Sequence, residues 1–459
     1  MKRRLRLVGI AGLSVAVMVP LSACSGAAGG GGGGGSAGGG GGSNVVNVLA
    51  VNNPQMLDAQ KITDAAFTKK TGITVKYTFL PENEERDKAT QQVANGASSY
   101  DVLNIGPYEV PLWAERKWIE PLDQYVAKDP NYDLNDFIPG VRAALSSQGK
   151  LYVAPFATET TFTAYRKDLL KAKGLTMPEH PTWNQVVDIA SKVNDPAKGV
   201  SGLCMRGLAG WGQNMAQFTD MLNTFGGTWF NKDWSSGVTS PEFKQTMQFY
   251  VNAAQKYGPK GQAQVSVSDC FNNFIGGKSA MWIDSSAAGP AIDDPGQSKV
   301  AGKVGYAYMP TVKTQYSGWL WSWGWGIPTA SKNKDNAWKY ISWVTGKTYG
   351  DDVAAQLGWG HYAGYSREST YDKPGFVAAN KLSLPVTKGA IAHADPNNPG
   401  VQPRPYSGIQ YITIPEWTDL GTTAGQQLSA AIGGTTSVDS AIKTIAAAAD
   451  KVSKAHAGQ

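Results

Sequence analysis

Charge is scarce in this sequence of 459 residues, and so are histidine and cysteine. Charged residues make up 17% of the chain and hydrophobic residues 42%, against about 25% charged residues in an average soluble protein. This composition excludes a disordered chain and a coiled coil. The four histidines lie far apart in the sequence, which gives little support to a histidine-based metal centre or acid–base cluster.

A strong excess of positive charge is also missing. The net charge is +6, but the first 23 residues contain four basic residues and no acidic one, so the rest of the chain carries only +2. Proteins that bind nucleic acid usually present a basic patch. We therefore predict no nucleic-acid partner.

Motifs of common enzyme classes are missing as well. The pattern H-E-x-x-H does not occur, and G-x-S-x-G occurs only at 34–38, inside a glycine-rich run that cannot form the strand and helix of a nucleophile elbow. Gly277-Lys278-Ser279 resembles the end of a phosphate-binding loop, but Asn272 stands where that motif needs its first glycine. We predict a protein that is not an enzyme and needs no metal or cofactor. A carboxylate pair that cleaves glycosidic bonds has no sequence motif, so an extracellular glycoside hydrolase remains an alternative.

The first 23 residues have the pattern of a secretory signal peptide. A basic start is followed by an apolar run at 7–19, which is too short to span a bilayer. The segment ends in Leu21-Ser22-Ala23-Cys24, which resembles the lipobox of bacterial lipoproteins. The resemblance implies cleavage before Cys24 and acylation of Cys24, and thus an anchor on the outer face of the cell membrane. The alternative is an ordinary signal peptide with an incidental cysteine.

Residues 24–43 predict a flexible tether behind that anchor. Of the 19 residues from 25 to 43, 13 are glycine, and such a segment cannot build a core. The folded part is expected to begin at residue 44.

Two cysteines remain after Cys24, namely Cys204 and Cys270. In an oxidising compartment two remaining cysteines usually pair. We predict a Cys204–Cys270 disulfide, with two buried thiols as the alternative.

The folded part alternates strands and helices. Strands at 45–51, 73–79 and 100–105 with helices between them predict a parallel sheet with helical crossovers. Further along, the sequence predicts an extended segment at 155–165, helices at 183–193, 212–225, 241–257 and 335–345, strands at 280–284 and 303–308, and a helical C-terminus from 421. This alternation, with no long linker, favours two α/β lobes that face each other across a ligand cleft.

A row of tryptophans stands out at 319–325, where Trp319, Trp321, Trp323 and Trp325 alternate with other residues. On a strand these four side chains share one face. Flat indole faces pack well against the C–H faces of carbohydrates and polyols, so this row predicts a ligand-stacking surface. The alternative is a tryptophan-rich core face.

Polar residues at predicted strand ends, in an extended segment and in glycine-rich loops complete the candidate site. Carboxylates accept hydroxyl protons and arginine donates from a planar fork, which together suit a neutral polyhydroxylated ligand. The alternative for each is a solvated charge or a helix cap. These residues are Glu82, Asn83, Arg86, Tyr108, Glu109, Glu159, Arg206, Asp284 and Arg367.

Residues 44–450 resemble the extracellular solute-binding proteins of bacterial ABC importers. Within the carbohydrate-binding group they resemble the sorbitol/mannitol (polyol) subgroup, although residues 358–362 replace a proline-rich loop that the subgroup often has. The segments that carry the resemblance are YDV at 100–102, YEVP at 108–111, YRKDL at 165–169, GLCMRG at 202–207, GWG at 210–212, FGGTW at 225–229, GKSAMWID at 277–284, DP at 395–396, PRPY at 403–406 and GQQ at 425–427.

This resemblance implies two α/β lobes joined by crossing segments, the periplasmic-binding-protein-like fold. Lobe 1 would hold residues 44–154, completed by about 309–355, and lobe 2 would hold 155–308, completed by about 356–459. The resemblance further implies a monomer that captures a polyol or small sugar and delivers it to a membrane permease; a surface protein that binds glycans without transport is a further alternative. The ligand-binding positions that it implies are Glu82, Asn83, Tyr108, Glu159, Arg206, Trp229, Asp284, Trp321, Trp323 and Arg367.

Overall fold

The computed structural model describes residues 44–458. The predicted signal peptide at 1–23, the lipid-bearing Cys24 and the tether up to residue 43 lie outside this range. The strands of the described part are β1 (Val45–Val51), β2 (Thr74–Leu80), β3 (Val102–Ile105), β4 (Ser146–Ser147), β5 (Lys150–Leu151), β6 (Val153–Glu159), β7 (Thr161–Arg166), β8 (Met281–Ser285), β9 (Val304–Tyr308) and β10 (Trp321–Gly326).

The helices agree closely in position with the apolar periodicity of the sequence. The helix predicted at 183–193 occupies that range, and the one at 241–257 does too. The helices are α1 (Pro54–Thr63), α2 (Lys69–Thr71), α3 (Glu82–Ala94), α4 (Glu109–Glu115), α5 (Asp123–Val126), α6 (Pro139–Ala144), α7 (Lys167–Ala172), α8 (Trp183–Val193), α9 (Asn214–Phe225), α10 (Pro241–Tyr257), α11 (Val267–Ile275), α12 (Gly289–Asp293), α13 (Lys334–Val344), α14 (Tyr349–Gln356), α15 (Pro374–Ala379), α16 (Leu384–His393), α17 (Trp417–Ile432) and α18 (Val438–Ala455).

Five strands form the first sheet in the order β2-β1-β3-β10-β6. Strands β1, β2 and β3 are parallel, and β10 runs antiparallel to both β3 and β6. Strand β1 is central and apolar, and five of its seven residues are buried, as expected for a strand with neighbours on both sides and helices on its faces. The carboxyl ends of the parallel strands therefore point to one edge of this sheet.

Three antiparallel strands form the second sheet in the order β8-β7-β9. The chain passes from the first sheet to the second at Thr160, between β6 and β7, and returns through residues 309–320, between β9 and β10. We call these two passages the first and second crossings. The sequence predicted one extended segment at 155–165, but the structure divides it between two sheets.

Four helices, α9, α10, α17 and α18, pack against one another along the second half of the chain. Helix α9 is buried along its whole length, because it lies between the other helices and the second sheet. Its Gln217 donates to the carbonyl of Ile283 in β8. The C-terminal helices thus contribute to the same part of the fold as β7–β9.

The predicted disulfide is present. Cys204 and Cys270 are bonded, with Cα atoms 5.5 Å apart, and both residues are fully buried. The bond joins the segment before α9 to α11 across 66 residues of chain. The alternative of two free thiols is thereby excluded.

The double variant Cys204→Ser/Cys270→Ser should lower the free energy of unfolding by about 2–4 kcal/mol, because a loop of this length loses much entropy in the unfolded chain when it is closed. Urea titration followed by circular dichroism measures the loss. Wild-type protein unfolded in reductant serves as the control and should show a similar loss. A double variant as stable as the oxidised wild type would contradict the prediction.

Candidate ligand-binding site

A cavity of about 350 Å³ lies between the two sheets. The first half of the chain supplies the residues after β1 and one face of α3, and the second half supplies residues around α9, α11 and β8. Its lining includes Asn52, Asn53, Gln55, Glu82, Arg86, Glu159, Arg206, Trp211, Phe271, Asn272, Trp282, Ser285, Trp319, Trp321, Trp323, Gln410 and Tyr411. The position agrees with the rule that ligands of α/β sheets bind beyond the carboxyl ends of strands.

Arg86 forms the centre of one cavity wall. Its guanidinium donates to Glu82 at 3.0 and 3.2 Å and to Glu109 at 2.6 Å. Burial lowers the pKa of Arg86, but the carboxylates of Glu109 and Glu82 outweigh burial and raise it above its ordinary value. The guanidinium remains charged and is held on two sides.

Three indole rings surround the same guanidinium. The Arg86 Cζ atom lies 4.1 Å from the ring centroid of Trp211, 4.7 Å from that of Trp323 and 5.0 Å from that of Trp321. Cation–π contacts of this kind gain strength where water is excluded. Arg86 therefore fixes the positions of rings that line the cavity.

Arg206, from the segment before α9, also lines the cavity. Its Nε and Nη2 atoms donate to the two carboxylate oxygens of Asp284 at 2.8 and 2.6 Å, and Nη1 donates to the carbonyl of Gly212 at 2.9 Å. Asp284 is fully buried and does not line the cavity. Its function is to neutralise and orient Arg206, in a bidentate geometry that only arginine provides.

Glu159, the last residue of β6, places a carboxylate in the cavity at the first crossing. Ser285 donates its hydroxyl to Oε2 in a short hydrogen bond. Burial raises the pKa of Glu159 to about 7, although the Ser285 hydrogen bond and the charge of Arg206 oppose this. The carboxyl group therefore changes charge near neutral pH.

The tryptophan row is divided between cavity and core. Trp319, Trp321 and Trp323 line the cavity, whereas Trp325 packs in the core against Phe156 and Tyr340, with ring centroids 5.4 and 5.9 Å away. The pairing of β10 with β6 shifts by one residue between Trp323 and Gly324. This bulge marks the place where the row passes from cavity to core.

Gly106, at the end of β3, makes room for one of these rings. A Cβ atom at this position would lie 2.0 Å from Cζ2 of Trp321. No larger residue fits there without displacing the indole. The loop after β3 is therefore shaped around the tryptophan row.

A family model for bacterial extracellular solute-binding proteins matches residues 52–351. This chain belongs to that family. The family prediction from the sequence is confirmed, and membership places the chain among binding proteins and not among enzymes.

Two similar proteins that bind mannitol match most of the chain. The mannitol-binding protein of Pseudomonas aeruginosa is 38% identical over 401 residues, which is 87% of this chain and 91% of that protein. A solute-binding protein of Agrobacterium vitis S4, solved with bound D-mannitol, is 42% identical with a TM-score of 0.87, and the match covers 90% of this chain and 98% of that one.

A more distant neighbour extends the likeness in fold. The solute-binding protein of Agrobacterium radiobacter K84, solved with ribitol, is 24% identical with a TM-score of 0.79 over 89% of this chain and 98% of that one. The predicted two-lobed periplasmic-binding-protein fold is confirmed.

Five of the ten predicted contact residues of this solute-binding protein line the cavity, namely Glu82, Glu159, Arg206, Trp321 and Trp323. Three others lie directly behind the lining. Asn83 donates to the carbonyl of Ala209 at 3.1 Å, Tyr108 packs on Trp211 at 4.7 Å between ring centroids, and Asp284 holds Arg206.

Trp229 and Arg367, also predicted as ligand contacts, do not line this cavity. Trp229 is buried among core aromatic rings, and its indole donates to Thr219 at 3.2 Å. The Arg367 guanidinium donates to the carbonyls of Tyr132, Asp133 and Thr345 at 2.8–3.0 Å and stacks over an aromatic ring. Both positions are structural, because every polar group named here is satisfied within the protein.

Several lining residues were not chosen from the sequence. Asn52 and Asn53 follow a buried strand directly, which is the signal that could have identified them. Phe271, Gln410 and Tyr411 come from a helix and from a loop with no such signal. Only the tertiary structure places them at the cavity.

Metal and membrane features are absent from the part of the chain that the structure describes. Within residues 44–458 no group of three or more His, Cys, Asp or Glu side chains is arranged to hold a metal ion. In the same range, no helix combines the length and the apolar character needed to cross a bilayer.

Asp220 of α9 ties the two crossings together. Its carboxylate accepts from the backbone N–H of Gly318 at 3.3 Å and from the Thr161 hydroxyl at 3.4 Å. The residue is 1% exposed, and burial raises its pKa to about 7 in spite of these two bonds. Between about pH 4 and pH 7, the Asp220 carboxyl group is therefore mostly protonated in the folded protein and mostly ionised in the unfolded chain.

Stability should consequently depend on pH through Asp220. The stabilisation from its raised pKa is complete below the ordinary pKa of about 4 and is lost as the pH rises through about 7, by as much as about 4 kcal/mol. Asp220→Asn should flatten this part of the profile, measured by urea unfolding at pH 5, 6, 7 and 8. The exposed Asp188→Asn is the control and should leave the profile as it is. An unchanged slope in Asp220→Asn would contradict the prediction.

Proposed function

We propose that this protein captures a linear polyol, D-mannitol or a close relative such as sorbitol, and delivers it to the membrane permease of an ABC importer. The observation that carries the proposal is the cavity itself. Five indoles supply flat faces, and carboxylates and guanidinium groups supply hydrogen bonds for hydroxyl groups. The relative at 38% identity is a mannitol-binding protein and the one at 42% was solved with bound D-mannitol, which supports the same ligand class.

Closure around the ligand is the proposed mechanism. Contacts from α3 already reach the segment before α9: Glu82 accepts from Gln213 at 3.0 Å, and Arg86 lies over Trp211. A polyol that bonds to both walls would favour this closed arrangement over an open one. The importer would then recognise the closed, loaded form.

The cellular location of the protein is part of the same proposal. Cys24 would carry acyl chains and hold the protein at the outer face of the cell membrane, and residues 25–43 would let the folded part reach the permease. We propose that it acts there as a monomer.

Calorimetry with the purified protein tests the function. We expect reversible one-to-one binding of D-mannitol or sorbitol in the micromolar range, with no product formed after long incubation. Maltose and glucose should bind much more weakly. Binding of an oligosaccharide in place of polyols would overturn the ligand class, and turnover would overturn the binding-protein function.

Trp323→Ala should weaken polyol binding about tenfold to hundredfold, because it removes one cavity wall and a ring that holds Arg86. The matched control is Trp118→Ala, which removes a tryptophan that does not line the cavity. Calorimetry gives both affinities, and circular dichroism checks that each variant is folded. Equal affinity in the folded Trp323→Ala variant would argue against this wall as the ligand surface.

A further inference from the structure

The charged side chains on the cavity wall are paired, with one exception. Arg86 is bonded to Glu82 and Glu109, and Arg206 is bonded to Asp284. Among the described residues, no basic side chain lies within 4.0 Å of the Glu159 carboxylate. Within residues 44–458, the side-chain carboxylate of Glu159 bonds only to the Ser285 hydroxyl, through Oε2.

The second oxygen of Glu159 faces the cavity without a protein partner. Oε1 makes no hydrogen bond to any described residue, and it is not completely shielded from solvent. The side chain is half-buried and lines the cavity. A ligand donor at this point would therefore complete the hydrogen bonding of Glu159.

The local charge balance is negative. Glu82, Glu109, Glu159 and Asp284 surround two guanidinium groups. A further carboxyl group, that of Glu85, is buried near Arg86, and burial raises its pKa well above its ordinary value. Neither guanidinium is free to bind an anion, because each already forms salt bridges at 2.6–3.0 Å. An anionic ligand would meet the Glu159 charge, while the nearby Arg206, whose charge acts on Glu159, is already bonded to Asp284. The repulsion costs more in a partly dry cavity than in water.

From this pairing we propose that the cavity also binds polyols that carry a terminal ammonium group and rejects polyol acids, with Glu159 as the residue that decides between them. The ammonium would donate to Oε1 of Glu159 and form the ion pair that the protein leaves open. A charge-assisted bond of this kind is stronger than the hydroxyl bond that it replaces. The inference rests on the proposed polyol-binding function.

D-Mannitol is a convenient frame for the test because its two ends are equivalent by a twofold axis. 1-Amino-1-deoxy-D-mannitol is thus a single compound whichever end is substituted, and it can place its ammonium at whichever end of the cavity holds Glu159. D-Mannonate carries a carboxylate at the same position. The three compounds differ in charge while the carbon chain stays the same.

Calorimetry of the purified protein at pH 8 compares the three ligands. At this pH Glu159, with a pKa raised by burial to about 7, is mostly ionised. We expect the amino compound to bind about tenfold more tightly than mannitol and mannonate to bind at least a hundredfold more weakly. If mannitol binds and the amino compound does not bind at least as tightly, the inference is overturned. If neither binds, the proposed function itself has failed.

Glu159→Gln tests the residue while preserving its size. We expect this variant to bind the amino compound at least tenfold more weakly than the wild type does and to regain at least tenfold in mannonate affinity. Glu84→Gln, which removes an exposed carboxylate from α3, is the matched control and should change none of the three affinities by more than twofold. A preference for the amino compound that persists in folded Glu159→Gln would assign the selection to another carboxylate and overturn the role of Glu159.

Discussion

Asp284→Ala should lower the free energy of unfolding by about 3–5 kcal/mol and weaken polyol binding at least tenfold. Asp284 is fully buried and bonds Arg206 through both carboxylate oxygens. Its removal leaves the Arg206 charge buried without a counter-ion, and a broken buried pair is among the costliest single changes in a protein. Binding suffers as well, because Arg206 lines the cavity and loses its fixed orientation.

Urea unfolding and calorimetry measure the two effects of Asp284→Ala. Asp188→Ala is the matched control, since its carboxylate pairs with Lys192 at 2.7 Å on the exposed surface. That change should cost less than about 1 kcal/mol. If the two variants are equally stable, Asp284 does not act as the buried counter-ion.

Arg86→Ala should abolish measurable polyol binding, with a loss of more than about a hundredfold. The change removes the charge that three tryptophan rings surround and leaves Glu109, which is 5% exposed, without its cation. Burial already raises the pKa of Glu109 and is opposed mainly by Arg86. Without Arg86 the carboxyl group should take up a proton, and the indoles of Trp211 and Trp323 should lose their common contact.

Affinity and stability of the Arg86 variant can be separated experimentally. Arg86→Lys keeps the charge but cannot bond Glu82 and Glu109 at once in the same planar geometry, so we expect an intermediate affinity. Arg116→Ala is the control, because this exposed arginine also lies over an indole, that of Trp118, at 4.8 Å. Full polyol affinity in a folded Arg86→Ala variant would remove Arg86 from the binding site.

Much of the secondary structure follows from local sequence patterns. The apolar spacing of α8 and α10 and the β-branched run of β1 identify these elements to the residue. The segment at 155–165 shows the limit of local patterns. Its residues are extended throughout, but β6 pairs with β10 and β7 pairs with β8 and β9, so strand pairing alone decides that the chain changes sheets at Thr160.

The residues of the candidate site also fall into those that local sequence patterns identified and those that they did not. Glu82 could be predicted because it follows a strand, Glu159 because it is a carboxylate within an extended segment, and the tryptophans of β10 because they alternate regularly. The alternation did not show that Trp323 lines the cavity and Trp325 lies in the core, because the burial of a side chain on a strand depends on which residues pack over it. Arg367 was predicted as a ligand contact because an arginine in a glycine-rich stretch can donate to a ligand. In the structure its guanidinium donates to nearby backbone carbonyl groups instead.

The sequence by itself determined the α/β alternation, the cysteine pair and the residue types suited to hydroxylated ligands, since these follow from spacing or composition. It also carried the family resemblance, in particular segments of the chain. Only the tertiary structure decided which of those residues meet at the cavity, which arginine pairs with which carboxylate, and that Glu159 is left without a basic partner. The physical reason is that hydrogen bonds and ion pairs form between atoms a few ångströms apart. Arg206 and Asp284 are 78 residues apart in the chain, and folding brings their charged groups into contact.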